Sequence, residues 1–317
     1  MTPFPQAVLR LVAAVLCSAG CACAGCRDAP LAVQVLGSGG PELQAQRASS
    51  GYLLWLDGRA RVLVDAGGGS AMRFDQAGAR FSDLDAVLLT HLHVDHSADL
   101  PVLIKASYFG ERDRELAVYG PSGNQLMPNL GDFLDGLFGQ HSDVYRYLSD
   151  YLGQGGAASY QLQAVEVDAG QRKSTQPAGL RRVQLTAVGV HHGPVPALAW
   201  RIEAAGASVA FSGDMNGDYR TLPSLARHAD LLVAHHAVSE SARGAARDLH
   251  MPPSLIGRIA RQAQVKKLVL SHRMRRTLGH EQESLEYIRA SYQGPVEFAD
   301  DLDCYVVASA PRDADER

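Results

Sequence analysis

The chain has 317 residues, 46% of them hydrophobic and 20% charged, with a formal net charge of -4 at pH 7. That is the balance of an ordinary soluble globular protein, with enough length for one large α/β domain or two small ones. It lacks the overall basic surplus that nucleic acid or an acidic membrane calls for.

Residues 1–26 read as an export leader. Arg10 precedes an apolar run, Leu11 to Leu16, which is too short to anchor in a bilayer. Small residues and cysteines follow up to Cys26. Ala22-Cys23-Ala24 fits an A-x-A cleavage site, and Ser18-Ala19-Gly20-Cys21 is similar to a bacterial lipobox, with Ser18 where Leu is usual. The expected location is therefore exported and periplasmic, with a lipid on Cys21 as the one route to a membrane. A buried apolar N-terminal helix is the bland alternative. Four of the five cysteines fall in this leader. Cys304 is expected in the core of a strand, and no mature disulfide framework is expected. A Cys26–Cys304 pair stays open.

Strand-like segments are expected at Leu31–Leu36, Gly51–Leu56, Arg61–Asp65 and Asp85–Leu89. Others follow at Leu116–Tyr119, Arg181–Val188, Ala197–Glu203, Ser208–Phe211, Asp230–Val233, Lys267–Leu270 and Cys304–Ala308. Helical patterns lie at Ser97–Phe109, Ser254–Gln264 and Glu281–Ala290. Residues 124–170 read as an insertion or lid within a domain spanning 31–310. The order suits an α/β sandwich of two mixed sheets flanked by helices.

The segment Thr90-His91-Leu92-His93-Val94-Asp95-His96 puts four ligand-type side chains at the tip of a buried strand. Alternate positions of a strand face one side, so His91 and His93 can reach one ion. The following loop can turn Asp95 and His96 toward a second. Imidazole and carboxylate suit zinc and related metals.

His-x-His-x-Asp-His after an apolar strand and Thr resembles the signature of the metallo-β-lactamase superfamily, and the likeness runs from Leu31 onward. Val64-Asp65-Ala66-Gly67 is similar to the family's second motif, which implies that Asp65 orients a ligand histidine. Val190-His191-His192-Gly193 resembles the next ligand motif. His192 is the expected ligand there, with His191 its rival. Phe211-Ser212-Gly213-Asp214 and Ser271-His272-Arg273 match the last two. The resemblance implies His91, His93, His192 and Asp214 on one ion, and Asp95, His96, His272 and the shared Asp214 on the other. Two zinc ions are the expected cofactors, with manganese or iron as alternatives, and a hydroxide between them is the expected nucleophile.

Within the superfamily the chain looks most like the ribonuclease Z and arylsulfatase-like branch. That likeness implies that His250, ahead of a helix, contacts the phosphate or sulfate group; Asp95 and His250 are the expected catalytic residues. Ala234-His235-His236-Ala237 stands where the family often has His-Glu, so no carboxylate is at hand to orient His250. His235 or His236 could take that place, or neither. Only a short hairpin separates His192 from Asp214, where ribonuclease Z carries a long tRNA-gripping arm. The expected substrate is a small anionic ester, a phosphodiester or sulfate ester, with no nucleic acid. Arg273, Arg275 or Arg276 could hold its charge. Lactone or β-lactam hydrolysis, tRNA 3′ processing and metal binding without turnover are the alternatives, and a homodimer stays open.

Overall fold

The computed structural model describes residues 24–43, 46–142, 144–153, 157–177 and 180–308. The apolar run, the lipobox-like stretch and Cys23 lie outside these residues. Among the described residues, no helix is long and apolar enough to cross a membrane.

Among the described residues, thirteen strands form two sheets. The first contains β1 (Leu31–Gly37), β2 (Gly51–Leu56), β3 (Arg59–Val64), β4 (Ala86–Leu88), β5 (Leu116–Pro121), β6 (Leu162–Val167) and β13 (Cys304–Ala308), in the order β13-β1-β2-β3-β4-β5-β6. The second contains β7 (Gln184–His192), β8 (Val195–Ala204), β9 (Ala207–Phe211), β10 (Leu231–His235), β11 (Leu268–Ser271) and β12 (Val296–Phe298), in the order β12-β11-β10-β9-β8-β7. Both sheets mix parallel and antiparallel pairs. Both strand faces are covered, so β1 and β2 are apolar almost throughout and buried at every position.

Three apolar layers account for this. Leu31, Tyr52, Leu54, Trp200, Val209 and Phe211 belong to the layer between the sheets. On the outer face of the first sheet, Leu53, Leu63, Phe74, Leu103 and Ile104 pack with α2 (Ser70–Gln76), α3 (Val94–Ser97), α4 (Leu100–Ser107) and α5 (Leu130–Phe138) at hand. On the outer face of the second, Ile256, Ile259, Leu268 and Ile288 pack with α6 (Leu222–Leu225), α8 (Pro253–Ala263) and α9 (Glu281–Arg289), while α7 (Ala245–Leu249) has no buried residue. The expected two-sheet sandwich flanked by helices is the fold observed.

Three features add to the expectations. The segment 124–170, expected as an insertion or lid, is built into the first sheet. It supplies α5 and β6, β6 pairs in parallel with β5, and Leu130, Leu134, Phe138, Leu148 and Tyr160 join the outer core. Its strand was hidden because β6 is an edge strand whose middle, Gln163 to Glu166, mixes polar and apolar residues and is mostly exposed. The end of the expected leader, residues 24–26, is also among the described residues. A short helix, α1 (Ala24–Asp28), places a buried Cys26 in a disulfide with Cys304. The open cysteine pair is thus formed, and Cys304 is a bridging residue. Third, the strand expected at Arg181–Val188 runs on to His192, which carries a site residue to its tip.

Candidate metal centre

The loops after strand ends converge on one buried cluster. His91 and His93 follow β4, Asp95 and His96 lie on α3, His192 ends β7, Asp214 follows β9, His235 ends β10 and His272 follows β11. These are carboxyl ends of strands from both sheets, the usual place for an α/β site.

Asp214 is the hub, 2% exposed. Its Oδ2 lies 3.9 Å from His91 Nε2, 3.6 Å from His96 Nε2, 3.7 Å from His192 Nε2 and 3.9 Å from His250 Nδ1. Its Oδ1 lies 3.4 Å from His272 Nε2. Asp95 Oδ2 stands 3.2 Å from His272 Nε2 and 3.4 Å from His96 Nε2. The ring nitrogens of His91, His93 and His192 lie within 4.8 Å of one another.

The far nitrogens are fixed from outside. Asp65 Oδ1 accepts from the Thr90 backbone N–H at 2.7 Å, and its Oδ2 accepts from Thr90 Oγ1 at 2.9 Å. The same Oδ2 lies 2.8 Å from His96 Nδ1, which turns His96 Nε2 inward. With Thr90's proton spent on Asp65, His91 Nδ1 donates to Thr90 Oγ1 at 3.1 Å. His192 Nδ1 donates to the Leu249 carbonyl at 3.0 Å. His91 Nε2 and His96 Nε2 are then buried nitrogens without a hydrogen bond. Buried polar atoms are rarely left so, and aimed at a shared carboxylate they suit a cation. The donor set therefore fits the implied metal.

Charge follows the same logic. Burial pushes the Asp214 carboxyl up, but His272, His250, His235 and His96 outweigh it and hold it well below the usual carboxylate range. Asp95 is likewise depressed, against its burial, by His96 and His272. Burial pushes His91, His93 and His192 down, toward the neutral form that binds metal. For His96 the carboxylates of Asp65, Asp95 and Asp214 overcome burial and raise it.

Close packing demands particular backbones here. Gly213 has φ 57°, and a Cβ there would stand 2.8 Å from the Leu198 carbonyl oxygen and 3.0 Å from Thr90 Cβ. Asp65 and His272 are non-glycine residues in the left-handed region, at φ 57° and 54°. Such strain collects at functional sites.

All seven expected ligands and Asp65 are brought together. His191 is not; it is partly exposed, 3.9 Å from Asp218, with its ring edge against Tyr219. His250 is buried beside the cluster, its ring 5.5 Å from that of His192 and 5.7 Å from that of His272. Arg273 is not a substrate arginine. It is buried and paired with Glu281 and Asp300. Arg275 and Arg276 are exposed.

One functional residue was missed in its role. His235 does not orient His250; its Nδ1 donates to Asp214 Oδ1 at 2.7 Å. Its Nε2 is 3.1 Å from the Tyr52 hydroxyl, itself 2.9 Å from Ser271 Oγ. No motif marks it. The signal lies in the parallel pairing of β10 with β9, Val233 against Phe211, which sets His235 beside the Ser212–Asp214 loop. His236 faces away, toward Phe298.

A family model described as Beta-lactamase superfamily domain matches residues 60–273. The ribonuclease Z of Haloferax volcanii is 28% identical over 298 residues, covering 84% of this chain and 92% of that relative. Among solved structures, the metallo-beta-lactamase fold protein YhfI from Bacillus subtilis matches with a TM-score of 0.67 at 22% identity, covering 87% of this chain and 99% of its own. Human tRNase Z, short form, matches at 0.65 and 20% identity, covering 87% and 99%. These two likenesses speak for the fold, while the family match takes in both the His91–His96 segment and His272. The chain belongs to the metallo-β-lactamase superfamily and is a hydrolase of that superfamily.

Proposed function

We propose that this hydrolase cleaves phosphodiesters at a centre of two divalent cations, zinc first, with manganese or iron as alternatives. His91, His93, His192 and Asp214 would hold one ion, and Asp95, His96, His272 and Asp214 the other. The observation that carries the reading is Asp214 Oδ2, which faces His91, His96 and His192 with two orphaned nitrogens among them. Bound there, such ions supply Lewis acidity toward phosphoryl oxygens and lower the pKa of water.

The rest falls to the chain. Asp65 and Thr90 lock the His91 and His96 rings before substrate arrives. Burial keeps bulk water from His91, His96, His192, Asp214 and His272. His250 stands at the edge of the cluster, where it can donate a hydrogen bond to a phosphoryl or leaving-group oxygen. Burial pushes it down to about 4, so it meets substrate as a neutral imidazole.

A phosphodiester is favoured over a lactone or β-lactam by His250 and by relatives named ribonuclease Z. Those names also stand against the expectation of no nucleic acid, and RNA 3′ processing is the second reading. Against it, only Ala205 and Gly206 join β8 to β9, leaving no arm between His192 and Asp214. We place the protein outside the cytoplasm. The leader pattern supports this, and so does the Cys26–Cys304 disulfide, because such bonds persist in oxidising compartments.

The test is a metal-loaded screen of bis(p-nitrophenyl) phosphate, a precursor tRNA, an aryl sulfate, a lactone and a β-lactam, with light scattering for a homodimer. Turnover of the phosphodiester that vanishes in Asp214→Ala is expected. Turnover of only the lactone or β-lactam, or a fully active Asp214→Ala, overturns the proposal.

A further inference from the structure

Directly behind the loop that carries Asp214 lies a second cavity, of about 550 Å³. That is within the range of small-ligand sites, roughly 300–1,000 Å³. Arg220, Arg247 and Arg258 line it, opposed by one carboxylate, Asp218, over an apolar wall that includes Leu255 and Ile259. Asp218 is already engaged: its Oδ2 accepts from Asn216 Nδ2 at 3.1 Å and lies 3.9 Å from His191 Nδ1. Among the described residues, the Arg220 and Arg258 guanidinium groups have no hydrogen-bond or ion-pair partner. Three guanidinium groups against one carboxylate leave a surplus of about two positive charges, which matches a phosphate monoester dianion. Arginine forks bind phosphate oxygens in pairs, and the apolar wall can take a flat ring.

The cavity is wired to the metal centre. Arg247 Nη1 donates to the carbonyls of Asn216 and His250, both at a long 3.3 Å. Asn216 is two residues past Asp214, and its side chain donates to the Asp248 carbonyl at 2.8 Å. An anion that draws Arg247 toward the cavity therefore pulls on the segments carrying both Asp214 and His250.

We propose that the Arg220–Arg247–Arg258 cleft is a second binding site, for a phosphate-bearing ligand of nucleotide size, and that Arg247 links its occupancy to His250. The phosphate has two sources to distinguish: a terminal phosphate on the substrate itself, or a separate effector.

Calorimetric titration of the metal-loaded full chain with adenosine 5′-monophosphate tests binding without reference to turnover, so it stands apart from the phosphodiester reading. Asp214→Ala removes the metal-centre contribution. Binding that survives Asp214→Ala and weakens at least tenfold when Arg220→Ala and Arg258→Ala are added is expected. Both arginines are exposed, so the pair should keep the fold, which an unchanged melting temperature verifies. Arg220→Lys with Arg258→Lys should recover part of the affinity. Binding lost with Asp214→Ala alone, or indifferent to the arginines, overturns the proposal. Turnover then separates the sources. An effector changes bis(p-nitrophenyl) phosphate hydrolysis in the wild type but not in the arginine pair. A substrate phosphate makes the arginine pair raise KM for a 5′-phosphorylated dinucleotide and not for its dephosphorylated counterpart.

Discussion

His235 Nδ1 donates to Asp214 Oδ1 across 2.7 Å, and that bond decides which way the central carboxylate points. With Oδ1 held by His235, Oδ2 is left facing the three inward nitrogens of His91, His96 and His192. His235→Leu should keep the fold yet lower zinc affinity about 10–100-fold, the usual cost of losing a partner that orients a ligand. A chelator competition reads this directly. Affinity within twofold of wild type would show that Asp214 needs no such support.

Asp65 carries a different kind of load. It accepts from Thr90 N, Thr90 Oγ1 and His96 Nδ1, all buried. Asp65→Ala orphans three donors, at about 1–3 kcal/mol each. Urea unfolding of the metal-free protein should show a loss of about 3 kcal/mol or more, before any metal is added. A loss under 1 kcal/mol contradicts the network.

The Cys26–Cys304 bond fastens α1 to β13 across 278 residues of chain. Replacing both cysteines with serine should cost about 2–4 kcal/mol of stability and leave turnover at 25 °C unchanged, since neither α1 nor β13 carries a candidate ligand. Mass spectrometry of the unreduced protein, with thiol labelling, checks that the bond is present. Free thiols in the native protein would refute it.

His236 gives a pH dependence. Burial, aided by Arg273, pushes it down to about 3, and neither ring nitrogen has a hydrogen bond. In the unfolded chain its pKa is about 6.5. Between those values the unfolded state binds a proton that the folded state does not, so stability falls as pH drops below about 6.5. At pH 5 the loss from this residue is about 2 kcal/mol. His236→Leu should therefore lose about 2 kcal/mol less than wild type between pH 7.5 and pH 5, measured by denaturant unfolding at both values. Parallel losses in the two proteins would exclude this role.

How much of this was legible in the sequence depended on distance along the chain. His91, His93, Asp95 and His96 sit within six residues, so their spacing alone betrays shared chemistry. β2 was placed to the residue because GYLLWL is apolar throughout and ends at a turn. His192 was separable from His191 only through the family pattern, and the geometry agrees, because the ladder of β7 and β8 continues to His192 against Val195. By contrast, the role of His235 exists only once β10 lies beside β9, and no local pattern encodes that register. β6 stayed hidden because an exposed edge strand has no reason to be apolar. The Cys26–Cys304 pair stayed open because its members stand at opposite ends of the sequence.

The proposed ligand set is split between the two sheets, with His91 through His96 from one and His192, Asp214 and His272 from the other. Neither half would hold either ion by itself. On that assignment, a chain still being made would lack a complete centre until residue 272 has emerged and both layers have closed.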